Sequence, residues 1–230
     1  LSYLRKDLFA IIDATPWLDW LLLTKRPDNI QRMWPIAGNG KDPGSPDYAR
    51  RDNVWIGTSV ACQEDADRNL PHLMTCRDLS PILFASYEPA VGPVDFRPWL
   101  VLPEHRAVAG MVGRDYRGID WLIAGGESGF KARPCDVEWL LSAVEQCQQG
   151  GGSAFVKQMG AKVLHASAND VATTNPGIPR WPGSVCDRHE RGMDFIPLTH
   201  SKGGDPAEWP IRLRVRQFPA IEAVTRSVRA

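Results

Sequence analysis

The sequence predicts an α/β protein built on a parallel sheet. Three observations carry that prediction. Five short apolar runs recur along the chain, at 17–24, 53–60, 81–87, 119–124 and 153–158. Each is apolar along most of its length, as in strands buried on both faces. Helix-patterned or crossover segments lie between them, the alternation that makes successive strands parallel.

The elements follow in order. Residues 3–14 place apolar side chains at Leu4, Leu8, Ile11 and Ile12, which is helical spacing with one buried face. Thr15-Pro16 closes that helix. The run Trp17 to Thr24 reads as a buried strand, ending at Lys25-Arg26-Pro27. Pro27 suits the first turn of a helix over 28–34. Residues 36–52 are rich in Gly, Pro, Asp and Arg and read as a surface loop. The second strand, Asn53 to Val60, ends in small hydroxyl residues. Gln63 to Arg77 is an amphipathic helix that Pro71 must kink or divide. The third strand, Pro81 to Tyr87, ends at Glu88-Pro89, and a looser stretch covers 90–118. The fourth strand, 119–124, runs into Gly125-Gly126-Glu127-Ser128-Gly129. Asp136 to Gln149 is a helix with an acidic start and a three-glycine stop at Gly150-Gly151-Gly152. The fifth strand, Ser153 to Gln158, follows. From about 161 the pattern dissolves, and 165–210 are rich in Pro, Gly, Asn, Asp and Trp. Arg212 to Phe218 alternates basic and apolar residues, as a half-buried edge strand would. A loose tail closes the chain at 220–230.

Composition narrows the function classes. Lys+Arg and Asp+Glu are both 27, so the net charge is zero and no global field draws in nucleic acid or membrane. No apolar run approaches the roughly 18–20 residues that span a bilayer. The five cysteines (62, 76, 135, 147, 186) are scattered, odd in number and never in C-x-x-C spacing, which points to reduced thiols in a cytoplasmic protein. The chain begins at Leu1 in mid-pattern and reads as a fragment lacking upstream sequence. Phosphate-loop, nucleophile-elbow and H-E-x-x-H motifs are missing. Gly125 to Gly129 is not G-x-G-x-x-G, so a Rossmann reading is weak. Cys186 with His189 is a poor metal pair, and no metal ligands are assigned.

Parallel strands point their C-terminal ends to one rim. There the sequence places Thr24, Lys25 and Arg26; Thr58 and Ser59; Glu88; Gly125, Gly126, Glu127 and Ser128; and Lys157 with Gln158. Each group alone also fits a plain turn. Together they form the layout of a site in a barrel or an open α/β sheet. Arg133 is a further candidate for binding a carboxylate or phosphate.

The same strand ends carry a family resemblance. The ordered set is Leu23-Thr24-Lys25-Arg26-Pro27, Trp55 to Val60, Glu88-Pro89 with Gly92-Pro93-Val94-Asp95, and Gly125 to Gly129. It continues through Ala132-Arg133-Pro134, Phe155 to Gly160, and Gly203 to Pro210. This set resembles the phage gene-product 37/68 family, uncharacterised proteins of phages and bacteria, from residue 1 to about 219. The resemblance implies a parallel-stranded partial (TIM-like) barrel of the radical-SAM type over 1–160, with an irregular extension over 161–230 packed on the same domain. It also implies S-adenosylmethionine and a [4Fe–4S] cluster, held in that family by an N-terminal three-cysteine motif that this chain lacks. A second departure is Ala85-Ser86-Tyr87-Glu88, where relatives often have a cysteine or small residue before the glutamate. On this basis Glu88 and Lys157 are the expected catalytic residues. Gly125, Gly126, Glu127, Ser128, Thr58 and Ser59 would bind the cofactor. Thr24, Lys25, Arg26, Arg133 and Gln158 would bind a nucleotide or nucleic acid. A partner protein encoded nearby is also expected. The alternatives are a non-catalytic nucleic-acid binder on the same barrel, and a metal-independent hydrolase or phosphoryl-transfer enzyme.

Overall fold

The computed structural model describes residues 2–35, 49–100, 118–166 and 193–220. Helix α1 (Ser2–Ala14) turns Phe9 and Ile12 inward. A turn over 16–18 then leads to strand β1 (Trp20–Thr24). Pro27–Asn29 forms one 3-10 turn, with the proline at its start, before α2 (Ile30–Met33). Strand β2 (Val54–Ser59), helix α3 (Gln63–Met74) and strand β3 (Ile82–Tyr87) follow. Pro71 lies within the last turn of α3 without dividing it, and the helix ends three residues short of the expected Arg77. Strand β4 (Trp121–Gly125), the short β5 (Cys135–Asp136), helix α4 (Val137–Gln149) and strand β6 (Ser153–Gln158) complete the main unit. The Asp136 side chain accepts the N–H of Glu138 and so caps α4.

The main sheet has the order β1-β2-β3-β4-β6, all parallel. Neighbours in the sheet are therefore neighbours in the chain. Right-handed crossovers that always step the same way put their helices on one face. The large core lies there: Ile12, Leu70, Leu73, Leu140 and Val144 pack with Ile56, Leu83, Leu122 and Val156. The opposite face carries its own cluster of Trp55, Ile82, Phe84 and Trp121, with Ile123 and Phe155 against it. Trp121 meets Trp55 edge-on at 5.7 Å and Phe155 edge-on at 6.0 Å. Gly57 is the gap that admits the Phe84 ring, since a Cβ there would lie 2.3 Å from it.

Two edges differ from expectation. β1 is an edge strand, and one of its faces is open: Leu21 is 46% and Leu23 52% exposed. A run that is apolar on both faces reads as central by pattern alone, and only strand order reveals an edge. At the other edge, Arg212 to Phe218 is not a full strand. Ile211–Leu213 is a 3-10 turn, and the remainder makes one antiparallel bridge, Arg216 to Phe155. The Val156 N–H donates to the Val215 carbonyl at 2.8 Å, and the Gln217 N–H to the Ala154 carbonyl at 2.9 Å.

The expected loss of pattern beyond 161 is also corrected in part. Strands β7 (Val163–Ala166) and β8 (Met193–Ile196) pair antiparallel, and β5 pairs parallel with β7, giving a small second sheet. Segments of two to four residues are too short to show a period. Residues 36–48 of the loop expected over 36–52, residues 101–117 of the looser stretch expected over 90–118, Cys186 with His189, and the tail from 221 lie outside the described residues.

At the N-terminal ends of the strands, Arg77 donates to Asp120 at 2.7 Å, and Asp120 also accepts the Leu83 N–H at 2.7 Å. This largely buried pair ties the start of β3 to the start of β4, at the end of the sheet opposite the rim.

Candidate functional site

Side chains alternate between the two faces of a strand. That rule sorts the strand-end residues into two sets. Ser59 and Ser86 are partners in register on β2 and β3, on the same face as the aromatic cluster. Ser86 is buried, and neither hydroxyl has a hydrogen-bond partner among the described residues. Just past the strand ends, the Lys157 ammonium donates to the Glu88 carboxylate at 3.1 Å. β3 and β6 both pair with β4, so this contact passes over the strand between them. Glu88 is withdrawn at 18% exposure, whereas Lys157 remains 56% exposed. So open an ion pair contributes about 1 kcal/mol or less to stability. Its interest is chemical: a sheltered carboxylate lies beside a cation that an anionic ligand can reach.

The second set is engaged in holding the fold. Thr58 is buried on the helix side and donates its hydroxyl to the Thr24 carbonyl at 3.0 Å. The Thr24 hydroxyl oxygen accepts the Arg26 N–H at 3.0 Å. Arg26 pairs with Asp28 at 3.3 Å on the surface, and Lys25 is exposed beside it. The Gly126 N–H donates to the Gln158 carbonyl at 3.1 Å, and the Gln158 amide donates back to the Gly126 carbonyl at 3.0 Å. The Gly125 carbonyl accepts the Ala90 N–H at 2.9 Å. A Cβ on Gly126 would sit 2.0 Å from the Met159 carbonyl oxygen. The close approach that these glycines permit is thus between β4 and β6.

The loop after β4 is closed by a charged clasp. Arg133 donates from Nε at 2.8 Å and from its backbone N–H at 2.9 Å, both to Glu127 Oε2. Its Nη2 reaches Oε1 at 3.4 Å. These hydrogen bonds hold the Glu127 carboxyl below its ordinary pKa. Between the two, the Ala132 N–H donates to the Gly129 carbonyl, and Gly129 takes the positive φ that this turn requires. Ser128 is exposed on the same loop.

Behind β6 lies the segment after 199. The Met159 N–H donates to the Gly203 carbonyl at 2.9 Å. The fully buried Trp209 indole donates to that same carbonyl at 2.9 Å. This turn therefore braces the strand end that carries Lys157.

The structure sets Ser59 beside Ser86 and Glu88 beside Lys157, on one face of the sheet. Sequence reasoning passed over Ser86, although its offset of two residues from Glu88 was the available signal. The thiols are a different matter. Burial pushes Cys76 up to about 11 and Cys135 and Cys147 up to about 12, so these side chains behave as small apolar groups. Among the described residues no group of three or more His, Cys, Asp or Glu side chains is placed to hold a metal ion. No described helix is long and apolar enough to cross a membrane.

The chain matches the family model described as "Protein of unknown function (DUF5131)" over residues 2–192. No curated protein and no solved structure gives a match.

Proposed function

We propose that this chain, which belongs to the DUF5131 family of unknown function, is a radical-SAM-type barrel enzyme that modifies a nucleotide or nucleic acid at the rim where its strands end. Three things support the reading. Its ordered motifs resemble the phage gene-product 37/68 family. Its sheet steps through the chain without reversal, an order that barrels share and doubly wound sheets break. Its hydroxyls and opposite charges gather at the C-terminal strand ends, where barrels keep their chemistry. The observation that carries most weight is the Glu88–Lys157 pair spanning β4. Lys157 is open to a phosphate or carboxylate. Glu88 supplies the sheltered carboxylate beside it, placed to accept a hydrogen bond from a bound hydroxyl or amine.

The two groups implied by the resemblance fare differently. The [4Fe–4S] cluster does not fit the described residues, because three of their four thiols are buried and no ligand set is assembled among them. S-adenosylmethionine fits the β4 loop better. Glu127 stays ionised under Arg133, and its Oε1, held only by the 3.4 Å contact, can accept from an amine or a ribose hydroxyl. Ser128 offers a further hydroxyl on the same loop. The cofactor would supply a reactive sulfonium there.

Calorimetric titration with S-adenosylmethionine tests the assignment. Glu127→Gln is expected to weaken binding roughly tenfold or more, as loss of a hydrogen bond to a charged group does. Unchanged affinity would remove the role given to Glu127. Anaerobic reconstitution with iron, sulfide and dithionite as the electron donor tests the class: bound iron with 5′-deoxyadenosine formed supports it, and a folded protein without iron removes radical chemistry from this reading.

One observation favours a second reading, metal-independent hydrolysis or phosphoryl transfer: the unpartnered Ser59 and Ser86 hydroxyls lie on the face that Glu88 and Lys157 flank. Turnover of a nucleoside phosphate in excess chelator, abolished by Glu88→Gln, would favour it.

A further inference from the structure

The loop between β4 and β5 holds a benzyl side chain out in water. We propose that this loop is the docking tip for a single-stranded nucleic acid, with Phe130 stacking on an unpaired base and Lys131, Lys162 and Lys202 meeting the phosphates. The inference rests on the nucleic-acid reading above and names the element that would receive the strand.

Phe130 is 96% exposed, more than any other large apolar side chain described. It is not there through slackness of the loop. The Glu127–Arg133 clasp closes the loop at its base, the Ala132 to Gly129 hydrogen bond shapes its turn, and the Ala161 N–H fastens the Glu127 carbonyl at 2.8 Å. A loop tied at three points presents its tip in a set direction, so a partner need not order it on binding.

Cations stand along the base of the loop that carries the ring. Lys131 follows it directly. The Lys162 carbonyl accepts the Cys135 N–H at 2.9 Å, and the Lys202 carbonyl accepts the Gly160 N–H at 3.2 Å. Both segments thus run beside the loop. All three lysines are exposed, and among the described residues none of them forms an ion pair. The carboxylates beside the loop carry hydrogen bonds of their own. Glu127 is held by Arg133, and Glu208 by the Thr199 and His200 N–H groups.

An exposed aromatic ring on a loop whose base carries unpaired cations is a recurring arrangement for single strands: every base offers a π-face, and every linkage a charge. A protein anchor would instead sit within an apolar surround that excludes water. Here its chain neighbours are Gly129 and Lys131. The loop springs from β4, the strand over which Glu88 and Lys157 meet, so a strand docked on it is delivered to the rim.

Fluorescence anisotropy with labelled oligothymidylate and oligouridylate, titrated against salt, tests the proposal on the full chain. The unsubstituted protein is expected to bind, more weakly as salt rises. Phe130→Ala should weaken binding roughly five- to a hundredfold, the effect of one lost base stack, and Phe130→Trp should retain it. Lys131→Ala should reduce the salt slope by about 0.7, one phosphate contact on a single strand. Equal affinity of the Phe130→Ala variant, or no binding at low salt, overturns the proposal. So does a free mononucleotide that binds as tightly as the oligomer, because the ring would then receive a small ligand. Circular dichroism of each variant guards against misfolding. If nucleotide chemistry depends on Glu88 while Phe130→Ala changes nothing, only this inference falls and the rim assignment stands.

Discussion

The Glu127 carboxylate shows how one contact sets the state of a side chain. Two hydrogen bonds from Arg133 to one oxygen favour the charged form and lower the pKa from the ordinary 4.5. A depressed folded-state pKa contributes stability above the unfolded value, and that contribution is lost as pH falls through the lowered folded value. The clasp is therefore intact at neutral pH and opens only in acid. Arg133→Ala is expected to bring the Glu127 titration back up toward 4.5, read from the pH dependence of its carboxyl carbon by NMR. An unmoved titration would mean that the clasp is not formed in solution. Residue types at these positions were legible in the sequence, since Glu88, Glu127 and Lys157 mark strand ends and Arg133 follows in the loop after β4. Their pairing was not. Arg133 lay among candidates for a ligand phosphate, and the structure gives it to Glu127.

At the scale of elements, the glycines after β4 are decisive. β4 and β6 shift register between Ala124 and Gly125, and the Gly126 backbone then lies against Met159. Gly126→Ala would force a Cβ to within 2.0 Å of a backbone oxygen that no rotamer change can move aside. The expected cost is about 3 kcal/mol or more, measured as a fall in the denaturation midpoint. A loss below about 0.5 kcal/mol, the size of an ordinary surface substitution, would show that the two strands separate easily there. The sequence placed these glycines at a strand end, among the residues expected to bind a cofactor. It did not reveal that the approaching group was the chain's own β6. The small sheet of β5, β7 and β8 was illegible for another reason: its strands are held by pairing partners distant in sequence, and no local period announces them.

For the whole molecule, the sheet ends in two unlike edges. The β6 edge is covered in part by the bridge at Arg216, with Phe218 packed on Trp121 at 5.2 Å. The β1 edge carries Leu21 and Leu23 half in water. An open apolar edge is a template for association. Leu21→Lys is expected to reduce concentration-dependent association of this 230-residue chain, followed by light scattering, with little change in melting temperature. A large fall in melting temperature would show that Leu21 is packed in solution. At the other end of the strands, the Arg77–Asp120 pair joins β3 to β4, far from the rim. Stability and candidate chemistry thus occupy opposite ends of one sheet.

By itself the sequence determined the five strands of the main sheet and their parallel sense. Apolar runs, helical spacing, Pro27, Asp136 and the glycine stops act through neighbouring residues, and neighbours are what a sequence displays. It also determined which polar residues reach the rim, because parallel strands share one direction. Only the tertiary structure decided which of them meet. Strand alternation turned Ser59 and Ser86 to one face and Thr58 to the other, and the order β3-β4-β6 brought Glu88 to Lys157. Such contacts depend on which strands lie side by side, a long-range property set by packing the whole sheet at once.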